Sequence, residues 1–255
     1  MHIPDGFIDV QTSAIFAGLA AAGVGASLKG ARAQLDEKSA PLAGLTAVFI
    51  FAVQMLNFPV VAGTSGHLIG AALAAVLVGP WAATLALTVV LVMQAFLFAD
   101  GGLTALGLST FNMSIIAVWV GYAVFLLVKK ILPRGKPSIV IASAIGALIS
   151  VPAAALGFTL QYAMGANATF SVSTVLGAMV GTHVLIGIGE AIITGLAVGA
   201  VMASRSDLVY GFKKEEYKYD LNLILAECNH YYFYHDYVGP KIAYTVWETT
   251  RYFEP

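Results

Sequence analysis

Apolar runs of about 20 residues, the length an α-helix needs to cross a bilayer, recur along the first 205 positions of the chain. Short polar or glycine-rich segments separate them. The pattern predicts about seven helices, at residues 10–28, 41–58, 60–78, 80–98, 106–128, 139–158 and 176–203. The expected fold class is therefore an all-α membrane protein.

Basic residues fall on alternate sides of the predicted helices. Lys and Arg follow the first, fifth and seventh runs, whereas the loops near 57–66, 99–104 and 159–175 contain neither. Cytoplasmic loops are the ones enriched in Lys and Arg. The distribution therefore predicts a multi-pass protein of the cell inner (plasma) membrane, with its N-terminus outside and its C-terminus in the cytoplasm.

Composition agrees with the membrane interpretation. Of the 255 residues, 59% are hydrophobic and 11% are charged, and the mean hydropathy is +0.84. Soluble proteins carry about 25% charged residues. A formal net charge of −1 offers no basic surface to nucleic acid, and a single cysteine excludes a disulfide framework.

The third run contains Gly-Thr-Ser-Gly-His at 63–67, which is poor helix material. Irregular backbone at membrane depth is tolerated where it is buried in protein or lines a cavity. Discontinuous helices of this kind often carry the substrate site of a transporter. His67 is therefore a candidate ligand, although a histidine that anchors a helix end by hydrogen bonds would fit the same pattern.

The first two residues, Met1 and His2, can form a metal site from the chain terminus itself. The Met1 α-amine, the His2 main-chain nitrogen and Nδ1 of its ring can close two fused chelate rings, and three coplanar nitrogens favour Ni(II), Cu(II) or low-spin Co(II). The Met1 α-amine must carry no formyl or acetyl group in order to bind a metal. Asp5 and Asp9 stand where a signal peptide would be basic, so we expect the mature chain to begin at Met1. A histidine at position 2 also fits a frayed terminus.

The predicted topology puts the N-terminus and the loop before His67 on the same side, which makes His67 a fourth nitrogen for the ion held by Met1 and His2. Further polar side chains are expected to support these ligands by hydrogen bonds rather than to bind the ion, and they are Gln54, Asn57, Ser65, Asn112 and His183. Glu190 shares a helix face with His183, and we expect it to have a structural role.

Six short segments, at residues 1–7, 54–59, 63–68, 100–103, 111–113 and 181–190, form an ordered set that begins with Met-His-Ile-Pro-Asp-Gly-Phe. Over about residues 1–205 the chain resembles the CbiM/NikM family, the substrate-capture components of cobalt and nickel energy-coupling-factor (ECF) transporters. The resemblance implies a helical membrane domain with its N-terminal segment threaded into the core. It also implies that Met1, His2 and His67 bind the metal.

The resemblance implies a function as well. The chain would capture divalent cobalt, or alternatively nickel, outside the cell for ATP-driven import, with the transported Co(II) or Ni(II) as substrate and no cofactor. Its expected partners are a transmembrane coupling (T) subunit, ATPase subunits and often a small accessory membrane subunit. The sequence has no Gly-x-x-x-x-Gly-Lys-[Ser/Thr] phosphate loop, so we expect the chain not to be an enzyme and ATP hydrolysis to occur on separate subunits.

Two other functions stay open at this point. An intramembrane metalloenzyme could use His67, His183 and Glu190, but the sequence has no His-Glu-x-x-His pair. A capture component for an organic vitamin would need an aromatic-lined pocket and would not need a free Met1 amine, and the metal-ligand set argues against it.

Residues 206–255 depart from the family pattern and are expected to form a cytoplasmic tail of unknown role. The tail is rich in tyrosine and mixed in charge. Cys228, His230 and His235 suggest a second metal site, but they lack the paired ligand spacing of known zinc sites. A cytoplasmic extension or a segment that docks a partner is the alternative.

Overall fold

The computed structural model describes residues 1–33, 35, 39–60 and 64–212. The helices are α1 (Val10–Arg32), α2 (Ser39–Gln54), α3 (Ala71–Val78), α4 (Pro80–Leu97), α5 (Leu106–Thr110), α6 (Ala117–Ile131), α7 (Lys136–Gly165) and α8 (Val172–Ser204). A π-helical turn, Phe111–Ile116, joins α5 to α6, and a 3₁₀ turn, Ser206–Leu208, follows α8. Two-residue strands β1 (Phe58–Pro59) and β2 (Ser65–Gly66) pair antiparallel.

The structure confirms a mostly helical fold with helices of membrane length, to which the short strands β1 and β2 are added. Among the described residues, five helices are long and apolar enough to cross a bilayer, namely Val10–Arg32, Pro80–Leu97, Leu106–Ile131, Lys136–Gly165 and Val172–Ser204. Ala40–Gln54 is a shorter apolar helix. The continuous span Leu106–Ile131 includes the π-helical turn, a feature that often occurs at functional sites.

The third of the expected spans, residues 60–78, is not a long helix. Its described part consists of strand β2, a non-helical segment to Gly70, and α3, whose eight residues are all buried. A helix of that length is about 12 Å long, well short of the ~30 Å hydrocarbon core. Glycines with positive φ bound it at both ends, at Gly70 (75°) and Gly79 (83°), and Pro80 then begins α4.

Glu190 of α8 holds the start of α3. Its carboxylate accepts hydrogen bonds from the main-chain N–H groups of Ile69 (2.6 Å) and Gly70 (2.9 Å). On the other side, Gln54 Nε2 donates to the Ile69 carbonyl (2.7 Å). A carboxylate at a helix N-terminus also interacts favourably with the helix dipole. The segment after His67 is thus fixed from α8 and from α2.

We expect the substitution Glu190→Ala to lower the stability of the fold. It removes the acceptor of two main-chain N–H groups, and an unsatisfied buried group costs about 1–3 kcal/mol. Thermal unfolding in detergent measures the loss. Glu190→Gln is the control, because it keeps one acceptor oxygen and should unfold between the wild type and Glu190→Ala. An unchanged unfolding temperature for Glu190→Ala would contradict this role.

The N-terminal segment is threaded into the helical domain. Met1 and Ile3 are fully buried. Gly102 N–H donates to the Ile3 carbonyl (2.8 Å), and Ile8 forms a β-bridge with Ala166. The alternative of a frayed terminus is therefore wrong, and residue 2 is held inside the protein.

Beyond α8 the chain is described only to residue 212. Val209 is buried, and Lys129 Nζ donates to the Gly211 carbonyl (2.7 Å). The candidate tail ligands Cys228, His230 and His235 lie outside the described residues.

Candidate metal centre

The centre begins with a contact between the chain terminus and a loop histidine. The Met1 amine nitrogen lies directly against His67 Nε2, and both residues are buried. His67 Nδ1 is 2.8 Å from the Leu68 carbonyl oxygen. A carbonyl can only accept, so Nδ1 carries the proton and Nε2 presents its lone pair towards the amine.

His2 brings two further nitrogens to the same place. Its ring stacks on the His67 ring, with centroids 4.8 Å apart and planes 30° apart. Its main-chain N–H donates to Ser65 Oγ (3.3 Å). An amine, a main-chain amide and two imidazoles therefore meet at the point where the N-terminal segment crosses the segment after β2.

Burial favours the uncharged forms of the amine and of the two imidazoles. It lowers the pKa of the Met1 amine well below its usual range, and the carboxylates of Asp100 and Glu190 oppose that shift only in part. The pKa of both His2 and His67 is also far below normal, first because the rings are buried and then because the Met1 amine is close. Uncharged amine and imidazole groups are the forms that bind transition metals.

Other groupings of metal-binding side chains do not appear in the part of the chain that the structure describes. Within it, no set of three or more His, Cys, Asp or Glu side chains is arranged to hold an ion. Glu190 instead bonds the backbone at Ile69 and Gly70. This geometry disfavours the metalloenzyme built on His67, His183 and Glu190, because the Glu190 carboxylate is already bound to the backbone.

The expected supporting residues fall into two groups. Ser65 contacts the His2 main-chain nitrogen directly, and Gln54 braces the segment after His67 through the Ile69 carbonyl. Asn57 does not contact the expected ligands itself. Its Nδ2 donates to Asp100 Oδ2 (2.9 Å), and Asp100 in turn lies beside the His2 ring.

Asn112 and His183 have different partners from those expected. Asn112 exchanges two hydrogen bonds with Gln161 (2.8 and 3.0 Å), which ties the π-helical turn to α7 rather than to the N-terminal segment. His183 Nδ1 donates to the Met179 carbonyl of its own helix (2.7 Å). His183 is near enough to His67 to contribute to the lowered pKa of the His67 ring. It forms no hydrogen bond with Met1, His2 or His67, the three expected ligands.

The loop after α4 supplies residues that the sequence interpretation missed. Asp100 Oδ2 lies 3.5 Å from His2 Nε2, and the Asp100 side chain is 15% exposed. Asp5 Oδ1 accepts from Thr104 N–H (2.8 Å) and Thr104 Oγ1 (2.5 Å), and these bonds lower the pKa of Asp5. The sequence analysis placed residues 99–104 in a loop and 100–103 among the family segments, but nothing in it indicated that this loop would meet the N-terminus.

Two glycines allow that loop to approach. A Cβ on Gly101, where φ is 92°, would lie 3.1 Å from both Cβ and Nδ1 of His2. A Cβ on Gly102 would overlap the main chain of Asp5. A polar cavity of about 360 Å³ opens beside this contact, lined by His2, Pro4, Asp5, Ser65, Ala99, Asp100, Gly101 and Gly102.

This helical membrane domain packs its own amine and second-residue histidine against a buried loop histidine, and these are nitrogen donors of the type that transition-metal ions prefer. Comparison with known proteins agrees. Residues 2–208 match the family model CbiM, described as the cobalt uptake substrate-specific transmembrane region. The chain belongs to the CbiM family, and it is a membrane component of cobalt or nickel transport.

Relatives and solved structures are similar over most of the chain. A putative metal transport protein of Haloquadratum walsbyi is 36% identical, over 82% of this chain and 94% of that protein. A putative fused nickel transport protein, NikMN, of Archaeoglobus fulgidus is 37% identical over 82% of this chain and 68% of that protein. A crystal structure of a truncated transition metal transporter superposes with a TM-score of 0.74 at 35% identity, covering 80% of this chain and 99% of that one.

Proposed function

We propose that the chain is the substrate-capture component of an ECF-type ATP-driven importer and binds one divalent cobalt or nickel ion. The ligands are the Met1 amine, the main-chain nitrogen and Nδ1 of His2, and Nε2 of His67. The observation that carries the proposal is the buried contact between the Met1 amine and the unprotonated Nε2 of His67. The amine and Nε2 each have a lone pair that one cation can accept, and they already lie side by side away from water.

The donor set favours a particular class of ion. Four nitrogens in one plane suit Ni(II) and low-spin Co(II) and suit octahedral, oxygen-seeking Mg(II) and Ca(II) poorly. The main-chain nitrogen must lose its proton to bind, so ions that bind nitrogen strongly are selected. Cobalt is the proposed ion, from the overall resemblance, and nickel is the alternative.

The proposed orientation follows from where the lysines lie in the fold. Lys129 reaches the Gly211 carbonyl and Lys136 the Met202 carbonyl, both at the end of α8 opposite to the N-terminal segment. Asn167, at the other end of α7, donates to the Gly6 carbonyl (3.1 Å). With the basic end in the cytoplasm, the metal centre faces the outside of the cell inner membrane.

Partners complete the proposed cycle. A coupling (T) subunit and separate ATPase subunits would drive release on the cytoplasmic side, with a small accessory membrane subunit where the system contains one. The fused nickel transport relative of A. fulgidus is longer than this chain. We propose that this chain forms the corresponding complex from separate subunits.

Metal binding by the purified chain tests the proposal. The detergent-solubilised protein, shown by mass spectrometry to begin with an unmodified Met1, is titrated with Co(II), Ni(II) and Mg(II) by calorimetry. We expect about one Co(II) or Ni(II) per chain and no binding of Mg(II). A chain with a free amine that binds neither Co(II) nor Ni(II) would contradict the proposal.

Gly101→Ala should weaken metal binding while the fold persists. The new Cβ presses on His2 Nδ1, and φ at this position is one that L-residues rarely adopt. We expect an affinity about tenfold lower, because a ligand displaced by a fraction of an ångström loses its planar geometry. Gly177→Ala is the control, since nothing lies within 4 Å of its added Cβ. An equal loss of metal affinity in Gly101→Ala and Gly177→Ala would contradict the assignment of His2 as a ligand.

A further inference from the structure

The proposed metal complex carries a charge that its ligands do not cancel, a step that rests on the proposed function. The ion contributes two positive charges, the deprotonated amide of His2 contributes one negative charge, and the amine and imidazoles are neutral. One positive charge remains among residues that are at most 4% exposed, namely Met1, His2 and His67. An unpaired charge in such surroundings is costly, so the site requires a counter-charge.

Apart from Asp100, the carboxylates of the described residues form their hydrogen bonds or ion pairs with groups other than the proposed ligands. Asp9 caps α1 through Thr12 N–H, Asp5 bonds Thr104, Glu190 bonds the start of α3, and Asp207 pairs with Arg205. Asp100 differs, because its Oδ2 lies 3.5 Å from His2 Nε2. His2 Nε2 is buried and has no hydrogen-bond partner at shorter range. The carboxylate therefore faces a proposed ligand directly.

The same contact determines which ring nitrogen meets the ion. A proton on Nε2 is attracted to the Asp100 carboxylate, and Nδ1 then keeps its lone pair. Nδ1 is the ring nitrogen that can close a chelate ring with the main-chain nitrogen of the same residue. Asn57 holds Asp100 Oδ2 from the opposite side at 2.9 Å, so the carboxylate has a fixed position.

The cavity beside the centre gives an ion access to this pair. It is about 360 Å³, polar in its lining, and bordered by both His2 and Asp100. A hydrated cation that enters it meets the Asp100 carboxylate next to the edge of the His2 ring. The carboxylate is thus available both during entry and after the ion is bound.

We propose that Asp100 is the counter-charge and positioning residue of the metal centre, accepting from His2 Nε2–H and neutralising the bound complex. A divalent ion then gives an electrically neutral site, whereas a trivalent ion leaves one positive charge. The total charge of the site therefore matches a divalent ion, and its nitrogen donors match the type of ion.

The wild-type chain provides the first test, with no substitution to disturb the fold. Long-range ¹H–¹⁵N correlation on metal-free protein, labelled with ¹⁵N in its histidine rings, reports which nitrogen is protonated. The His2 signals are those lost in His2→Gln. We expect the His2 proton on Nε2. A proton on Nδ1 would overturn the proposal.

The second test measures Ni(II) affinity by competition with a chelator in Asp100→Asn, Asp100→Glu and Asp207→Asn. Asparagine keeps an acceptor for Asn57 and His2 and removes only the charge, so we expect affinity to fall about 10–100-fold. Glutamate should restore most of it, and Asp207→Asn should match the wild type. Wild-type affinity in Asp100→Asn would overturn the proposal for Asp100 alone. Absence of Ni(II) binding by the wild type would instead overturn the proposed function.

Discussion

One additional residue ahead of Met1 should abolish tight metal binding. The extension turns the Met1 amine into an amide nitrogen. The added residue, with its own charged amine, would also have to fit where Met1 is fully buried against His67. The chelate ring between the amine and the His2 main-chain nitrogen can no longer form. We expect affinity for Co(II) or Ni(II) to fall by at least about 100-fold, about 3 kcal/mol. Calorimetric titration of the two chains measures the change.

The control for this prediction is an extension at the other end of the chain. One residue added after Pro255 changes the length equally and leaves the amine intact. Thermal unfolding of both variants separates lost binding from lost structure. An N-terminally extended chain that binds as tightly as the wild type would show that the Met1 amine is not a ligand.

His67→Ala should have an effect of similar size for a different reason. It leaves the terminal chelate of Met1 and His2 intact but removes the nitrogen that completes the plane. The vacated position lies inside the protein, at a residue only 1% exposed, where water would have to take the ligand's place. We expect affinity to fall about 100-fold, because an incomplete donor set no longer compensates for stripping the ion of its hydration shell. Competition with a chelator measures the loss.

His183→Ala is the matched control, as it removes a second buried histidine by the same substitution. His183 donates to Met179 within α8, so we expect a loss of stability and a much smaller loss of affinity than in His67→Ala. The opposite order of affinities would move the site towards His183 and Glu190 and would revive the metalloenzyme alternative.

The candidate ligands at the chain terminus could be proposed from the sequence because their chemistry is local. An amine, an amide and an imidazole within two residues form a chelating unit whatever the fold. His67 was indicated by its own irregular segment, and the structure confirms that residues 64–70 are non-helical. The buried contact between Met1 and His67 depends on tertiary structure, and only the predicted topology and the family resemblance pointed to it.

The parts that the sequence did not predict depend on where loops meet. The apolar pattern predicts one span over residues 60–78, but Gly70 and Gly79 bound a helix of eight residues, all of them buried, that is too short to span by itself. Asn112 is as polar as Asn57, yet Gln161 is its partner. Asp100 had no predicted role beyond its place in a loop and in a family segment, since a sequence does not show that this loop packs against residue 2.

X-ray absorption at the metal edge of the nickel-loaded wild-type chain tests the central claim most directly, because it identifies the atoms bound to the ion without altering the protein. We expect four nitrogens in a square-planar arrangement and no sulfur, in agreement with the amine, the amide and two imidazoles. Six oxygen or nitrogen neighbours in an octahedral arrangement, or a bond to the sulfur of Met1, would contradict the assignment of Met1, His2 and His67 as the metal centre.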